Sequence, residues 1–137
     1  MINKRIELLR DKFKQFNIDG YIIPKNDEFF SEYAAINRLK IISNFSGSAG
    51  LAIVLKKKNY LFVDGRYTIQ AQQQSGKQFK ITEIHKFLPY KIIKNLTLGF
   101  DPNLLTRKQL NAYFSNSLIL KQINKNLIDE IYKEKTS

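Results

Sequence analysis

The chain has 137 residues, 43% of them hydrophobic, with ten Phe, seven Tyr, no Trp and no Cys. That is enough for one globular domain with a real core. It excludes a disulfide framework, a thiolate nucleophile and a thiolate metal site. The formal net charge is +11, from 23 basic against 12 acidic residues, but only five of the basic residues are Arg. The charges are spread from Lys12 to Lys133, and the one tight cluster is Lys56-Lys57-Lys58. This pattern describes a lysine-rich solvated surface better than a nucleic-acid site, which favours Arg for bidentate contacts.

The basic start, Met1 to Arg5, is not followed by an apolar stretch of signal-peptide length. No run approaches the ~18 apolar residues of a membrane span. A cytoplasmic protein is expected.

Ile2, Ile6, Leu9, Phe13 and Phe16 fall on one face of a helix. Asn17 and Gly20 bracket its end, and Gly20 can take the left-handed conformation that closes a helix. Tyr21-Ile22-Ile23 reads as a short buried strand stopped by Pro24. Asn26-Asp27 can cap a helix over Glu28 to Ile36, and Ile41-Ile42 then enters a Gly/Ser turn. Leu51 to Leu55 and Tyr60 to Val63, joined through Lys56 to Asn59, form the clearest hairpin.

Arg66 to Gln74 reads as a helix with Ile69 and Ala71 inward, and Phe79 to His85 as a strand. Leu88 to Leu96 is expected to be helical, Thr97 to Phe100 a strand, and Thr106 the cap of a helix from Arg107 to Phe114. Leu118 to Leu120 makes a last strand and Asn126 to Lys133 a last helix, with Leu127, Ile128 and Ile131 inward. The polar end, Lys133 to Ser137, is expected to fray. Alternating strands and helices with one inserted hairpin predict a single three-layer α/β domain over residues 1–137, its mixed sheet lying between helices.

The catalytic inventory is thin. His85 is the only histidine, so the usual His/Cys metal sites cannot be built. Asp27, Glu28 and Glu32, and likewise Asp129 and Glu130, are close in sequence, but neither group has a known ligand spacing. Ser46 or Ser48 with His85 and an Asp would complete a hydrolytic triad in composition, although no spacing positions them together. Phe45-Ser46-Gly47-Ser48-Ala49-Gly50 lacks the Gly-Lys-Ser/Thr ending of a P-loop. A strand rather than a helix follows it, so it is no dinucleotide fingerprint either. A close packing turn and a loop whose amides meet a carboxylate both remain open. Asp64 can cap the turn that Gly65 starts. Arg66 then sits where a cation opposes the helix dipole, which suggests a specific acceptor.

These segments also occur in an order that resembles a known family. Gly20 to Pro24, Asp27, Ser31-Glu32-Tyr33, Arg38, Ile42 to Gly50, Phe62 to Tyr67, Gln70-Ala71, Gly99 to Pro102 and Asn126 to Asp129 run along nearly the whole chain. The ordered set resembles the N-terminal, non-catalytic domain of the aminopeptidase P, prolidase and creatinase group, with Xaa-Pro aminopeptidases the nearest likeness.

The resemblance implies a ribonuclease-H-like topology. It implies a separate C-terminal pita-bread domain, absent from this chain, whose two manganese ions are held by two Asp, one His and two Glu. The chain alone is then expected to be inactive, and no cofactor is expected within it. Its implied role is to supply substrate-cleft wall and dimer contacts to that catalytic domain, in cis or in trans. Proline-containing peptides are implied as ligands of the full enzyme only. In creatinase-like dimers the loop matching Phe45 to Gly50 approaches the active site of the second subunit. Phe45 and Ser48 are therefore carried over as substrate-wall residues, and Arg66 as a ligand- or interface-facing cation. Asp64 and Tyr67 are expected to support the loop. The competing expectation is a freestanding module that binds peptide or nucleic acid through its basic surface, although neither nucleic acid nor a membrane is the favoured partner.

Overall fold

The structure is a computed structural model that describes residues 2–25, 36–114 and 118–136. The helix expected over Glu28 to Ile36 lies outside the described residues except at Ile36, as do Asp27, Ser31, Glu32 and Tyr33 of the family pattern.

The N-terminal helical stretch is two pieces, α1 (Ile2–Asp11) and α2 (Phe13–Phe16). Ile6, Leu9 and Phe13 are buried, as their spacing requires. The left-handed closing residue is Asn17, with φ 55°, rather than Gly20. An Asn side chain tolerates that conformation, which frees Gly20 for the first strand. There it is needed for space: a Cβ would lie 2.5 Å from Leu55 Cδ2 and 2.9 Å from the Val54 carbonyl oxygen.

That strand, β1 (Gly20–Pro24), is the centre of the sheet. A helix the sequence reading missed, α3 (Arg38–Ser43), follows, capped by the Asn37 side chain, which accepts from Lys40 N–H at 3.2 Å. The hairpin is β2 (Leu51–Leu55) and β3 (Asn59–Val63), in antiparallel register from Leu51↔Phe62 to Val54↔Asn59. A 3-10 turn (Gly65–Tyr67) leads into α4 (Thr68–Ser75). Ala71 and Ser75, one turn apart, face the core. That phase turns Ile69 outward, at 75% exposure, against the expectation. Then come β4 (Lys80–Glu83), a four-residue α5 (Pro89–Ile92) shorter than expected, and β5 (Thr97–Phe100). The chain closes with α6 (Arg107–Tyr113), β6 (Ile119–Gln122) and α7 (Leu127–Thr136). Thr106 and Gln109 form a reciprocal capping box at the start of α6.

The six strands lie in the order β4-β3-β2-β1-β5-β6, and only β2 runs antiparallel to its neighbours. This is the mixed, ribonuclease-H-like α/β sheet. Alternate residues of the central strands feed two separate cores. Tyr21, Ile23, Ala52, Val54, Leu61 and Val63 pack against α1, α3, α4 and α7. Ile22, Ile53, Phe62 and Leu98 pack on the opposite face with Ile93, Leu105 and Phe114. The sheet is thus covered on both sides, giving three layers.

Several segments of the family pattern are joined by buried polar contacts. Asn126 Nδ2 donates to Asp101 Oδ2 at 2.8 Å, and Asn126 Oδ1 caps α7 by accepting from Ile128 N–H at 2.9 Å. Leu127 N–H donates to the Tyr21 hydroxyl at 3.3 Å. Gly99 lets β5 approach the same place, since a Cβ there would lie 2.6 Å from Ile123 Cδ1 and 3.1 Å from Tyr21 Cδ1. The motifs at residues 20–24, 99–102 and 126–129 therefore hold α7 to the sheet.

Candidate functional site

The loop from Asn44 to Gly50 begins with a second left-handed Asn, Asn44 at φ 69°. Ser43 Oγ donates to the Leu39 carbonyl at 2.6 Å and accepts from Phe45 N–H at 3.2 Å. Ser75 Oγ donates to the Ser43 carbonyl at 2.7 Å. On the outer side Ser46 N–H donates to Gln74 Oε1 at 2.9 Å, and Gln74 Nε2 returns a bond to Ser46 Oγ at 2.8 Å. The loop is thus clamped to α3 through Ser43 and to α4 through the Ser46–Gln74 pair, while Ser75 ties the two helices together.

Its glycines serve close approach rather than left-handed geometry, because no described Gly has a positive φ. A Cβ on Gly47 would press into the Phe45 ring, 2.8 Å from Cε2 and 2.9 Å from Cε1. On Gly50 a Cβ would lie 3.1 Å from both Leu39 Cδ2 and Phe45 Cε2. Phe45 is the pivot around which the loop wraps. It is fully buried, so it stands behind the loop rather than on its open side. Its ring meets Tyr67 edge to face, with centroids 6.3 Å apart.

Tyr67 passes this support outward. Its hydroxyl is hydrogen-bonded to the exposed Ser48 Oγ. The Arg66 guanidinium lies 5.5 Å from its ring centroid. Asp64, at the end of β3, caps the 3-10 turn by accepting from Arg66 N–H at 2.9 Å, and the Arg66 Nε reaches the same Oδ1 at 3.1 Å. These bonds from Arg66, the backbone one first, hold the Asp64 carboxyl below the ordinary aspartate range. His85, just past β4, places Nε2 3.5 Å from the other carboxylate oxygen. The Glu83 carboxylate lies beside Gly65, its Oε1 2.6 Å from where a Cβ would stand, a contact the flexible side chain can relieve.

Ser48, Asp64, Arg66 and His85 all line one cleft of about 450 Å³. It opens outside the carboxyl ends of β1, β3 and β4, where Pro24, Val63 and Ile84 form part of its wall. Open α/β sheets present ligands at this end of their strands. The far wall is Leu105, Gln109 and Tyr113, from α6 and the loop before it. Of the three residues carried over as site candidates, Ser48 and Arg66 reach the cleft, and Phe45 lies beneath it.

The structure also brings together Ser48, Asp64 and His85, which sequence spacing alone did not. The Ser48 hydroxyl is paired with Tyr67, and the described hydrogen bonds give it no base. Gln109 and Tyr113 had no signal of their own in the sequence, because they reach the cleft only through the placement of α6. No group of three or more His, Asp or Glu is gathered to hold a metal ion among the described residues. The donor set here, one His beside one Asp, does not fit a two-metal centre.

The Creatinase/Prolidase N-terminal domain model matches residues 5–125. This chain belongs to that family. The curated relatives it matches include a probable Xaa-Pro aminopeptidase P from Laccaria bicolor, 34% identical over 96% of this chain and 23% of that protein. Xaa-Pro aminopeptidase 1 from Dictyostelium discoideum is 31% identical over 95% of this chain and again 23% of its own length. Among solved structures, the X-prolyl aminopeptidase from Caenorhabditis elegans, described as a cytosolic enzyme with a di-nuclear active site, superposes with a TM-score of 0.74 at 26% identity. That match covers 98% of this chain and 26% of the worm enzyme. The N-terminal domain of the cytoplasmic peptidase PepQ from Mycobacterium tuberculosis shares the fold over 93% of this chain and 98% of its own, with a TM-score of 0.70 at 19% identity. The chain thus spans about a quarter of the curated relatives it matches and corresponds to the N-terminal domain of Xaa-Pro aminopeptidase-like proteins.

Proposed function

We propose that this domain works as the non-catalytic first domain of a metal-dependent Xaa-Pro aminopeptidase, where the cleft between the Ser48 loop and α6 forms part of the substrate-cleft wall. The observation that carries the reading is coverage: 96% of this chain matches 23% of a probable Xaa-Pro aminopeptidase P. Ser48 and Arg66 supply the polar face of the wall, while Phe45 and Tyr67 fix the loop from behind. Dimer contacts are assigned to the same rim. The chemistry belongs to a catalytic domain carrying two metal ions, proposed to be manganese, which would activate water and polarise the scissile carbonyl. Proline-containing peptides are the proposed substrates of the whole enzyme, and the cytoplasm its proposed location, as the Caenorhabditis elegans relative is described. No helix among the described residues is long and apolar enough to cross a membrane.

The test is to express the complete reading frame that contains this chain and assay Xaa-Pro peptide cleavage beside the 137-residue chain alone. Cleavage is expected only from the complete protein, and only with manganese. Arg66→Ala is expected to raise KM about tenfold, equivalent to about 1.4 kcal/mol of lost binding. Chelator-resistant cleavage by the chain alone, or a reading frame without metal ligands, would refute the proposal.

A further inference from the structure

A second groove lies on the other side of α6. Among the described residues, strand β6 ends the sheet and has one neighbour, β5. Ile119 N–H donates to the Leu96 carbonyl and Ile123 N–H to the Phe100 carbonyl, each at 3.0 Å. Odd-numbered residues of β6 therefore turn their backbone groups to β5. The N–H and C=O groups of Leu120 and Gln122 face away from the sheet. Such an edge is a template for another strand unless something blunts it. The strand contains no proline, and its one charged residue, Lys121, has its ammonium drawn to the Phe16 carbonyl at 2.6 Å.

A groove of about 380 Å³ runs between this edge and α6. Phe100, Leu105, Leu110 and Leu120 supply the apolar part of its lining, Asn111 and Gln122 a polar part, and Arg107 is the only charge. The Arg107 side chain makes no hydrogen bond or ion pair among the described residues. Lys125, exposed just beyond the strand, is a further cation. A second copy of this chain would bring those cations against their own kind, so the charge selects an acidic partner.

We infer that the β6 edge and its groove take an extended acidic segment of another protein as a seventh strand. Its apolar side chains, at alternate positions, sit on the half-buried Leu120 and Leu110, and its carboxylates meet Arg107. Strand addition of this type draws affinity from backbone bonds and specificity from pockets for alternate side chains. The surface shares only Leu105 with the cleft that Ser48 and Arg66 line, and the inference does not depend on the aminopeptidase reading.

The probe is a fluorescent octapeptide of alternating Val and Glu, titrated against the full chain and followed by anisotropy, with hydrogen exchange read at the Leu120 and Gln122 amides. Saturable binding and protection of both amides are expected, and the Val/Lys counterpart should not bind. Arg107→Glu is expected to weaken binding about tenfold or more. Gln122→Pro should do the same, because it removes one outward N–H while sparing the ladder to β5. The inference is overturned if binding does not saturate, if the Val/Lys peptide binds equally, or if Arg107→Glu leaves affinity unchanged. Concentration-dependent dimers abolished by Gln122→Pro would also overturn it, because the occupant would then be a second copy.

Discussion

Arg38, 1% exposed, grips Asp129 with two parallel bonds, Nε to Oδ1 at 2.8 Å and Nη2 to Oδ2 at 3.0 Å. The fork ties α3, on the way to the Ser48 loop, to α7, and residue 38 is one that the family pattern singled out. Burying a guanidinium is tolerable only while its partner stays in place. Asp129→Ala is therefore expected to destabilise the domain by about 2 kcal/mol in urea unfolding. That is below the roughly 3–5 kcal/mol of a fully buried pair, because Asp129 keeps a third of its side chain in water. Arg38→Lys keeps the charge but not the fork, and should lose about 1.5 kcal/mol.

The packing of Gly47 on Phe45 gives a coupled prediction. Gly47→Ala puts a methyl group into the ring, an overpacking that costs about 1–3 kcal/mol. With Phe45→Leu the obstacle shrinks, so the same Ala should cost less in that background. A double-mutant cycle by thermal unfolding is expected to show a favourable coupling of about 1 kcal/mol. Additivity would mean that the loop moves away from the ring at no cost.

These two contacts also mark what the sequence could reveal. The hairpin from Leu51 to Val63 was legible because apolar runs of strand length flank a Lys/Asn turn. Leu127, Ile128 and Ile131 were legible because helical spacing forces them inward, and all three are fully buried. The six-residue α3 was not, because Leu39 and Ile42 alone make too short a period. Its usable signal was the Asn37 cap. Ile69 was misplaced because the 3-10 turn at Gly65–Tyr67 resets the phase of α4, an offset that no periodicity within residues 66–74 records. At the site, the loop residues were visible as motifs. Which of them face the cleft depended on Phe45 packing inward and on α6 supplying the opposite wall, both set by tertiary contacts.

Asn126 does two things at once: it caps α7 and donates to the buried carboxylate of Asp101. Substitutions can separate the two roles. Asn126→Ala loses both and should cost about 2 kcal/mol, near the top of the range for a helix cap. Asn126→Asp keeps a good cap but sets a second carboxylate against Asp101 in a buried site. It is expected to restore little of the loss at pH 7 and more of it in mild acid, where the introduced carboxylate takes up a proton. Urea midpoints at the two pH values distinguish this from a simple cap, which would be rescued equally at both.

The last prediction concerns acid. Asp64 has a folded pKa below its unfolded value, chiefly through the Arg66 N–H bond and then the Arg66 side chain. A depressed acid contributes stability that is present above the unfolded pKa, about 3.9, and lost as pH falls through the folded value. The turn that aims Arg66 into the cleft should therefore stay intact at pH values where free aspartate is already half protonated, and loosen only below them. In an NMR titration the Arg66 amide is expected to shift with a midpoint beneath the ordinary aspartate value. Asp64→Asn keeps an acceptor oxygen for the cap but cannot titrate, so that step should vanish while the turn survives. A step that persists in Asp64→Asn would show that the Asp64 carboxyl is not the titrating group.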